Sequence, residues 1–316
     1  MSNHFDGKKF YNPTLKKQFA PGFSHMVRML RERRTKWPKK VENVPRDGSL
    51  VPAPDQLTLT FINHATFLIQ FPGFTILTDP VWSERASPVS WFGPKRVRKP
   101  GIPLQDLPPI DLILISHNHY DHLDVHTLKK LNNRFSPPVL APLGNGKLLQ
   151  SLGFEDVTEM GWWEDSVINE NFKITLTPAQ HFSARGLWDR YQTLWGSYYI
   201  QDSQTSVYYG ADSGYASHFK EIQNRVGPPD VALLGIGAYE PGWFMSPIHT
   251  NPAEAVQAHQ DLDAHVSIAM HYGTFPLAAE GIDQPVQALN EAKEKAGLDP
   301  EEFIVLPEGH SYQFEK

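Results

Sequence analysis

Residues 116–124 read SHNHYDHLD and follow the apolar run IDLILI, so three imidazoles and two carboxylates fall within nine positions directly after a strand-like segment. The run from Ile110 to Ile115 predicts a strand, Ser116 a turn, and VHTLKKL beyond Asp124 a helix. The cluster therefore belongs on a loop at a strand's C-terminal end. If the backbone stays extended there, His117, His119 and Asp121 share one face while His122 points elsewhere. Rings that each need hydrogen-bond partners add little to packing, whereas nitrogen and oxygen donors suit Zn, Fe or Mn. The expectation is a metal site in which one short loop serves two adjacent ions.

The chain has no cysteine, which excludes disulfides, thiolate ligands and a cysteine nucleophile and leaves any metal to His, Asp and Glu. With 316 residues, 40% of them hydrophobic, it has enough apolar material for a sizeable core. The first residues, MSNHFDGKKFYNP, lack the apolar stretch of a signal peptide, and no run approaches a membrane span, so a cytoplasmic location is expected. Charge is uneven. Residues 1–50 hold 12 Lys/Arg against 4 Asp/Glu, net +8; subtraction from 29 and 35 leaves 17 against 31, net −14. A basic N-terminal arm, residues 1–50, is expected to precede an acidic catalytic domain, residues 51–316, with the junction running from Lys36 to Pro54.

Strand-like runs (LTLTFINHATFLIQF, FTILTDP, VLAPL, FKITLTP, SYYIQD, SVYYGAD, DVALLGI, VSIAMH, FIVLP) alternate with helical ones (HFKEIQNRV, NPAEAVQAHQDL, QPVQALNEAKEKAG), and Pro72-Gly73 predicts a hairpin turn. This is an α/β (α+β) pattern. His181, Asp212 and His271 each close an apolar run as the first cluster does, and loops at strand ends are where such architectures assemble sites. Seven ligand-grade residues would converge from four loops.

HNHYDH matches the HxHxDH signature of the metallo-β-lactamase superfamily, and His181, Asp212 and His271 match its later ligands in order. The resemblance implies a four-layer αβ/βα sandwich with a two-metal site at one edge. It implies that His117, His119 and His181 hold one ion, that Asp121, His122 and His271 hold the other, and that Asp212 bridges them. Within that superfamily, LTDPVWSERASP, GPKR, LWGS, GADSGY, GAYEPGWFM and MHYGTF make roughly residues 57–309 most similar to the N-acylphosphatidylethanolamine-hydrolysing phospholipase D family and its bacterial relatives. The implied reaction is metal-assisted hydrolysis of a lipid phosphodiester by a hydroxide bridging two divalent ions, Zn foremost, with Fe and Mn as alternatives.

His249, before a helix start marked by Asn251 and Pro252, is the candidate proton donor to the leaving group; Asp121 is the other catalytic candidate, and His64 is expected to support a ligand. Tyr239–Met245 with Trp188 and Trp195 suggests an aromatic wall for acyl chains, and GPKRVRK, residues 93–99, a phosphate-attracting loop or an ordinary solvated one. In the arm, Phe23, Met26, Val27 and Leu30 recur at helical spacing beside Arg28, Arg31, Arg33 and Arg34, a pattern that suits either an anionic membrane or packing on the acidic body. The alternative functions are a soluble lactonase or small phosphoester hydrolase and, less favoured because the body is acidic, a nuclease. No nucleic acid is expected, and the partner is a phospholipid or small phosphoester.

Overall fold

The computed structural model describes residues 4–46, 56–170 and 172–315, so the expected boundary after residue 50 lies outside the described residues. Fourteen strands follow in chain order: β1 (Leu57–Asn63), β2 (Thr66–Phe71), β3 (Phe74–Thr78), β4 (Leu112–Leu114), β5 (Val139–Pro142), β6 (Val157–Met160), β7 (Asp165–Asn169), β8 (Phe172–Thr177), β9 (Ser197–Gln201), β10 (Ser206–Tyr209), β11 (Val231–Gly235), β12 (Val266–Met270), β13 (Phe303–Ile304) and β14 (Ser311–Phe314). Among the described residues seven α-helices accompany them: α1 (Phe23–Arg31), α2 (Val125–Phe135), α3 (Gly146–Ser151), α4 (His218–Val226), α5 (Gly242–Met245), α6 (Pro252–Leu262) and α7 (Gln284–Ala296).

The strands form two mixed seven-stranded sheets, ordered β14-β1-β2-β3-β4-β5-β6 and β13-β12-β11-β10-β9-β8-β7. Period-two side-chain direction sorts each strand between two cores. On β2, Phe67 and Ile69 join Leu112 and Leu114 of β4, Ile174 and Leu176 of β8 and Ile268 of β12 between the sheets. Leu68 and Ile113 face the other way and meet Leu128 and Leu131 of α2 and Leu149 of α3. On the far side, Tyr208, Ala232 and Leu234 are covered by Phe219 of α4, Ala255 and Leu262 of α6 and Leu289 of α7. Helix, sheet, sheet, helix is the expected four-layer sandwich. Full burial of each large aliphatic side chain contributes roughly 1.5–3 kcal/mol, which identifies burial as the term that holds the layers together.

The β2–β3 hairpin turns at Pro72-Gly73, with Phe71 opposite Phe74. Asp124 caps α2 by accepting from the His126 N–H, and Asn251 with Glu254 forms a capping box on α6 with Pro252 at its first turn. Some elements are absent from the sequence reading. β4 is three residues, shorter than Ile110–Ile115, and β6, β7 and β14 are short, half-exposed strands whose existence depends on their partners.

The arm lies along the body. Thr35 N–H donates to Ala279 O at 2.9 Å, Trp37 Nε1 to Glu280 O at 2.8 Å and Val41 N–H to Val97 O at 2.8 Å. The expected helix is present as α1, but the side chains of Phe23, Met26 and Leu30 lie outside the described residues, so the stripe they were expected to form is not described. The helix meets the body through Arg28, stacked 3.9 Å over the Trp243 ring, and through the neighbouring Glu32, which accepts the Trp243 indole N–H at 2.8 Å. Among the described residues no helix is long and apolar enough to cross a membrane.

Candidate metal centre

Strand direction explains why residues remote in sequence meet. β1 and β3 both run antiparallel to β2 and β4 runs parallel to β3, so the C-terminal ends of β1, β3 and β4 share one sheet edge. In the second sheet β8 and β10 both run antiparallel to β9, and β10, β11 and β12 are parallel, so β8, β10 and β12 also end together. His64, Asp79 and His117 follow the first set; His181, Asp212 and His271 follow the second. The His271 N–H donating to His64 O at 2.7 Å ties the two edges. The backbone is strained there: His64, Asp79, Ala211 and His271 all have left-handed φ, between 32° and 60°. Gly237 leaves room for His271, since a Cβ at that position would lie 2.1 Å from the His271 carbonyl oxygen.

His117, His119, His181 and Asp212 form one group of mutually close donor atoms. His117 Nε2 is 2.8 Å from His119 Nδ1, which is 3.2 Å from His181 Nε2. Their tautomers follow from the outer partners. Ser116 gives its hydroxyl proton to Asp79, so the contact of 2.9 Å between Ser116 Oγ and His117 Nδ1 must be a donation from the ring. His181 Nδ1 faces the Ile248 carbonyl at 2.8 Å, which only accepts. Both rings therefore turn a bare Nε2 lone pair inward.

The second group is His64, Asp121, His122 and His271. His122 donates Nδ1–H to Asp79 at 2.6 Å, which leaves Nε2 facing the centre; burial opposes its charge, but Asp212, Asp121 and Asp79 hold the ring well above its usual value, so an ion bound there would displace the Nε2 proton. Asp212 stands between the groups: its Oδ2 is 3.2 Å from His122 Nε2, 3.7 Å from His181 Nε2 and 3.8 Å from His117 Nε2, and its Oδ1 is 3.2 Å from His271 Nε2. His64 Nε2 contacts Asp121 Oδ2 at 3.0 Å, as expected of a supporting residue.

These donors fit a pair of cations. His122 Nε2 and His271 Nε2 each lie 3.2 Å from the Asp212 carboxylate yet are buried without a well-formed hydrogen bond among the described residues, and a cation in place of their ring protons would satisfy all three groups. Burial alone would discharge His271, yet Asp212 and Asp121 outweigh it and push that ring up to about 9. Burial and the neighbouring imidazoles hold His117 well below its usual value, that is, neutral. Asp121 and Asp212 are held well below the usual carboxylate range, because His122 and the other rings overcome the burial that would raise them. The buried His/Asp clusters are consistent with a binuclear metal site.

Three expectations need correction. The 116–124 segment is not extended: His119 O accepts from both His122 N and Leu123 N, a turn that separates Asp121 from His117 and His119 and places it with His122. Trp195 is 1% exposed, with its indole N–H donated to Ala179 O, so it is core, whereas Trp188 stands 86% exposed on a loop; they form no common wall. In the 93–99 loop, Arg96 is buried with its guanidinium on Ser83 O and Val81 O, and Arg98 pairs with Glu308 at 3.1 Å, so neither is free for phosphate.

His249 sits beside the centre, its Nδ1 4.0 Å from Asp212 Oδ2. It lines a cavity of ≈ 280 Å³ together with Tyr239, Glu240, Gly242 and Ser246, so part of the Tyr239–Met245 segment does face a pocket. Sequence reasoning missed Asp79. Fully buried, it accepts from Ser116 N–H, Ser116 Oγ–H, His122 Nδ1–H and Tyr209 O–H within 2.5–2.7 Å. The available signal was a carboxylate ending the run FTILTD, the same signature that marked Asp212.

Residues 75–272 match the family described as the Beta-lactamase superfamily domain. Among curated proteins, N-acyl-phosphatidylethanolamine-hydrolyzing phospholipase D 1 of Caenorhabditis elegans is 35% identical over 341 aligned residues, covering 98% of this chain and 93% of that protein. The mitochondrial N-acyl-phosphatidylethanolamine-hydrolyzing phospholipase D of Saccharomyces cerevisiae is 34% identical over 245 residues, covering 76% of this chain and 52% of the yeast protein. A solved metallo hydrolase from the archaeon Ignicoccus hospitalis superposes with a TM-score of 0.62 at 24% identity, over 83% of this chain and 99% of that one.

Proposed function

The chain belongs to the metallo-β-lactamase superfamily of metal-dependent hydrolases, and from that premise we propose that it is a phospholipase D-type phosphodiesterase acting on N-acylphosphatidylethanolamine-like lipids. The observation that carries the lipid preference is a pair of apolar tips on loops anchored to the 116–124 turn. Trp91 and Phe92 on one loop and Leu187 and Trp188 on the other are 69–90% exposed. The bases of both loops are tied to the 116–124 turn, through Trp82 and Ser83 N–H on Asp124 and through Arg185 on the Asn118 and Leu123 carbonyls. Exposed indoles and aliphatics so placed suit the interfacial zone of a bilayer.

In this reading His117, His119, His181 and Asp212 would hold one divalent ion and Asp121, His122, His271 and Asp212 the other; the imidazole and carboxylate donors suit Zn, with Fe or Mn as alternatives. Two such ions supply Lewis acidity, which activates water at neutral pH and polarises a phosphoryl oxygen. Asp121, held in place by His64, stays ionised and would orient the attacking water by accepting a hydrogen bond from it. Burial pushes His249 down to about 4 against the opposing pull of Asp212, so at pH 7 the neutral ring would stabilise charge on the leaving oxygen by a hydrogen bond from its N–H, and the proton that oxygen finally takes comes from water. His249→Ala is expected to lower kcat about 10²-fold with metal content unchanged; loss of metal alongside activity would move His249 into the ligand set.

Residues 51–316 carry catalysis in this proposal, and residues 1–50 are the arm. Liposome sedimentation separates the two candidate membrane contacts, because attraction of the basic arm to anionic lipid fades at high salt whereas insertion of apolar tips persists. The reaction itself is tested by incubating the protein with a panel of N-acylated phospholipids, lactones and soluble phosphodiesters in ¹⁸O-water, with products read by mass spectrometry. Label in the released phosphatidic acid is the expected result. Intact lipids with consumed lactones or small phosphodiesters would replace this reading with the soluble-substrate alternative.

A further inference from the structure

We propose that Asn12, a residue of the N-terminal arm, is a positioning residue for the metal centre: its side chain fixes the backbone of His181 and so aims that ring at the first ion. The inference rests on reading His181 as a ligand. Residues 178–196, which carry it, form no helix and join no sheet ladder; their one regular pairing is an isolated bridge between Gln180 and Gly214. The peptide groups around His181 must therefore find partners elsewhere. His181 N–H donates to Asn12 Oδ1 at 3.1 Å, and Asn12 Nδ2 donates to His181 O at 2.7 Å. A side-chain amide carries the same donor and acceptor as a peptide, so Asn12 serves as a one-residue strand along the ligand, although 169 positions separate the two.

Asn12 is itself clamped. Its N–H donates to Gln18 Oε1 at 2.8 Å, and Gln18 Nε2 donates to Asn12 O at 2.9 Å, so two amides act in series from Gln18 through Asn12 to His181. Asn12 is 1% exposed, so these bonds are shielded from solvent in the folded chain. Flanking contacts hold the same register: Thr14 Oγ1 donates to Gln180 Oε1 at 2.7 Å, Phe10 N–H to Tyr191 O at 2.9 Å, and the Phe19 ring lies 5.4 Å from that of Phe182. On the side away from the centre the ring of His181 is anchored by Nδ1 on Ile248 O. With the outer face of the ring pinned by that bond and its backbone by two from Asn12, the arm is part of what orients this donor.

The test uses the full chain stripped of metal and titrated with Zn²⁺ alone against a chromophoric chelator, with Co²⁺ absorption as a report of coordination geometry. Asn12→Ala and Asn12→Asp should both weaken one of two ions about 10–100-fold, the range for lost outer-sphere support, leave the other unchanged and alter the Co²⁺ spectrum. The aspartate keeps the acceptor for His181 N–H but sets an acceptor against its carbonyl, so it should not rescue. Gln18→Ala, further out, should give a smaller shift at the same ion and serves if the Asn12 variants do not fold. Two ions bound with wild-type affinity and an unchanged spectrum, even at a lower melting temperature, would mean that Asn12 only anchors the arm. A wild-type chain that takes up no ion would instead remove the metal-centre reading on which the inference stands.

Discussion

Asp212→Ala should abolish hydrolysis while leaving the fold intact, with kcat/KM falling by more than about 10³-fold, some 4 kcal/mol of transition-state stabilisation. The reason is position. Asp212 Oδ2 faces His122, His181 and His117 and its Oδ1 faces His271, so one carboxylate serves both groups of donors. Without it, neither ion keeps a full set of protein ligands and nothing holds their spacing. The fold should persist, because the residue follows the end of β10 at the sheet edge, outside the layer packed between the sheets. Elemental analysis should drop from about two ions per chain, the occupancy of a two-metal site, to one or fewer, with the far-ultraviolet circular dichroism unchanged. Retention of both ions with activity near wild type would sink the bridging role.

Asp79→Ala should cost both stability and metal. Its carboxylate receives four hydrogen bonds in a fully buried position, and their removal strands donors on Ser116, His122 and Tyr209. Breaking one side of such a buried network costs about 3–5 kcal/mol, and His122 also loses the bond that selects its tautomer. Asp79→Asn keeps the volume but places an amide N–H₂ among donors, so it should rescue little. Urea unfolding and metal titration check the two halves separately. If Asp79→Asn unfolds like wild type and binds two ions, the residue neither stabilises this edge nor tunes His122.

Much of this protein is local in its sequence. Strand runs such as VSIAM and SVYY, the Pro72-Gly73 turn, the caps at Asp124 and Asn251, and the placement of His117, Asp212 and His271 just after apolar runs all follow from period-two patterning and turn chemistry acting over a few residues. The seven ligand-grade residues were legible because imidazoles and carboxylates at strand ends have no packing use that explains them. By contrast, β6, β7 and β14 carry weak patterns and exist because neighbouring strands supply their hydrogen bonds, a term that no window of sequence contains.

The supporting residues are long-range by nature. Asp79, Tyr209 and Asn12 look like any strand-end acid, buried tyrosine or loop amide until the chain folds; their roles come from hydrogen bonds spanning 37 to 169 positions. Trp195 and Trp188 share a residue type and a loop, yet burial makes one core and leaves the other in solvent. Covalent chemistry along the chain therefore marked which residues can bind a metal. The face-to-face packing of the two sheets, which brings their strand ends together at one edge, decided how they group, which ring nitrogen each presents and which remote side chains hold them, because those depend on distances through space.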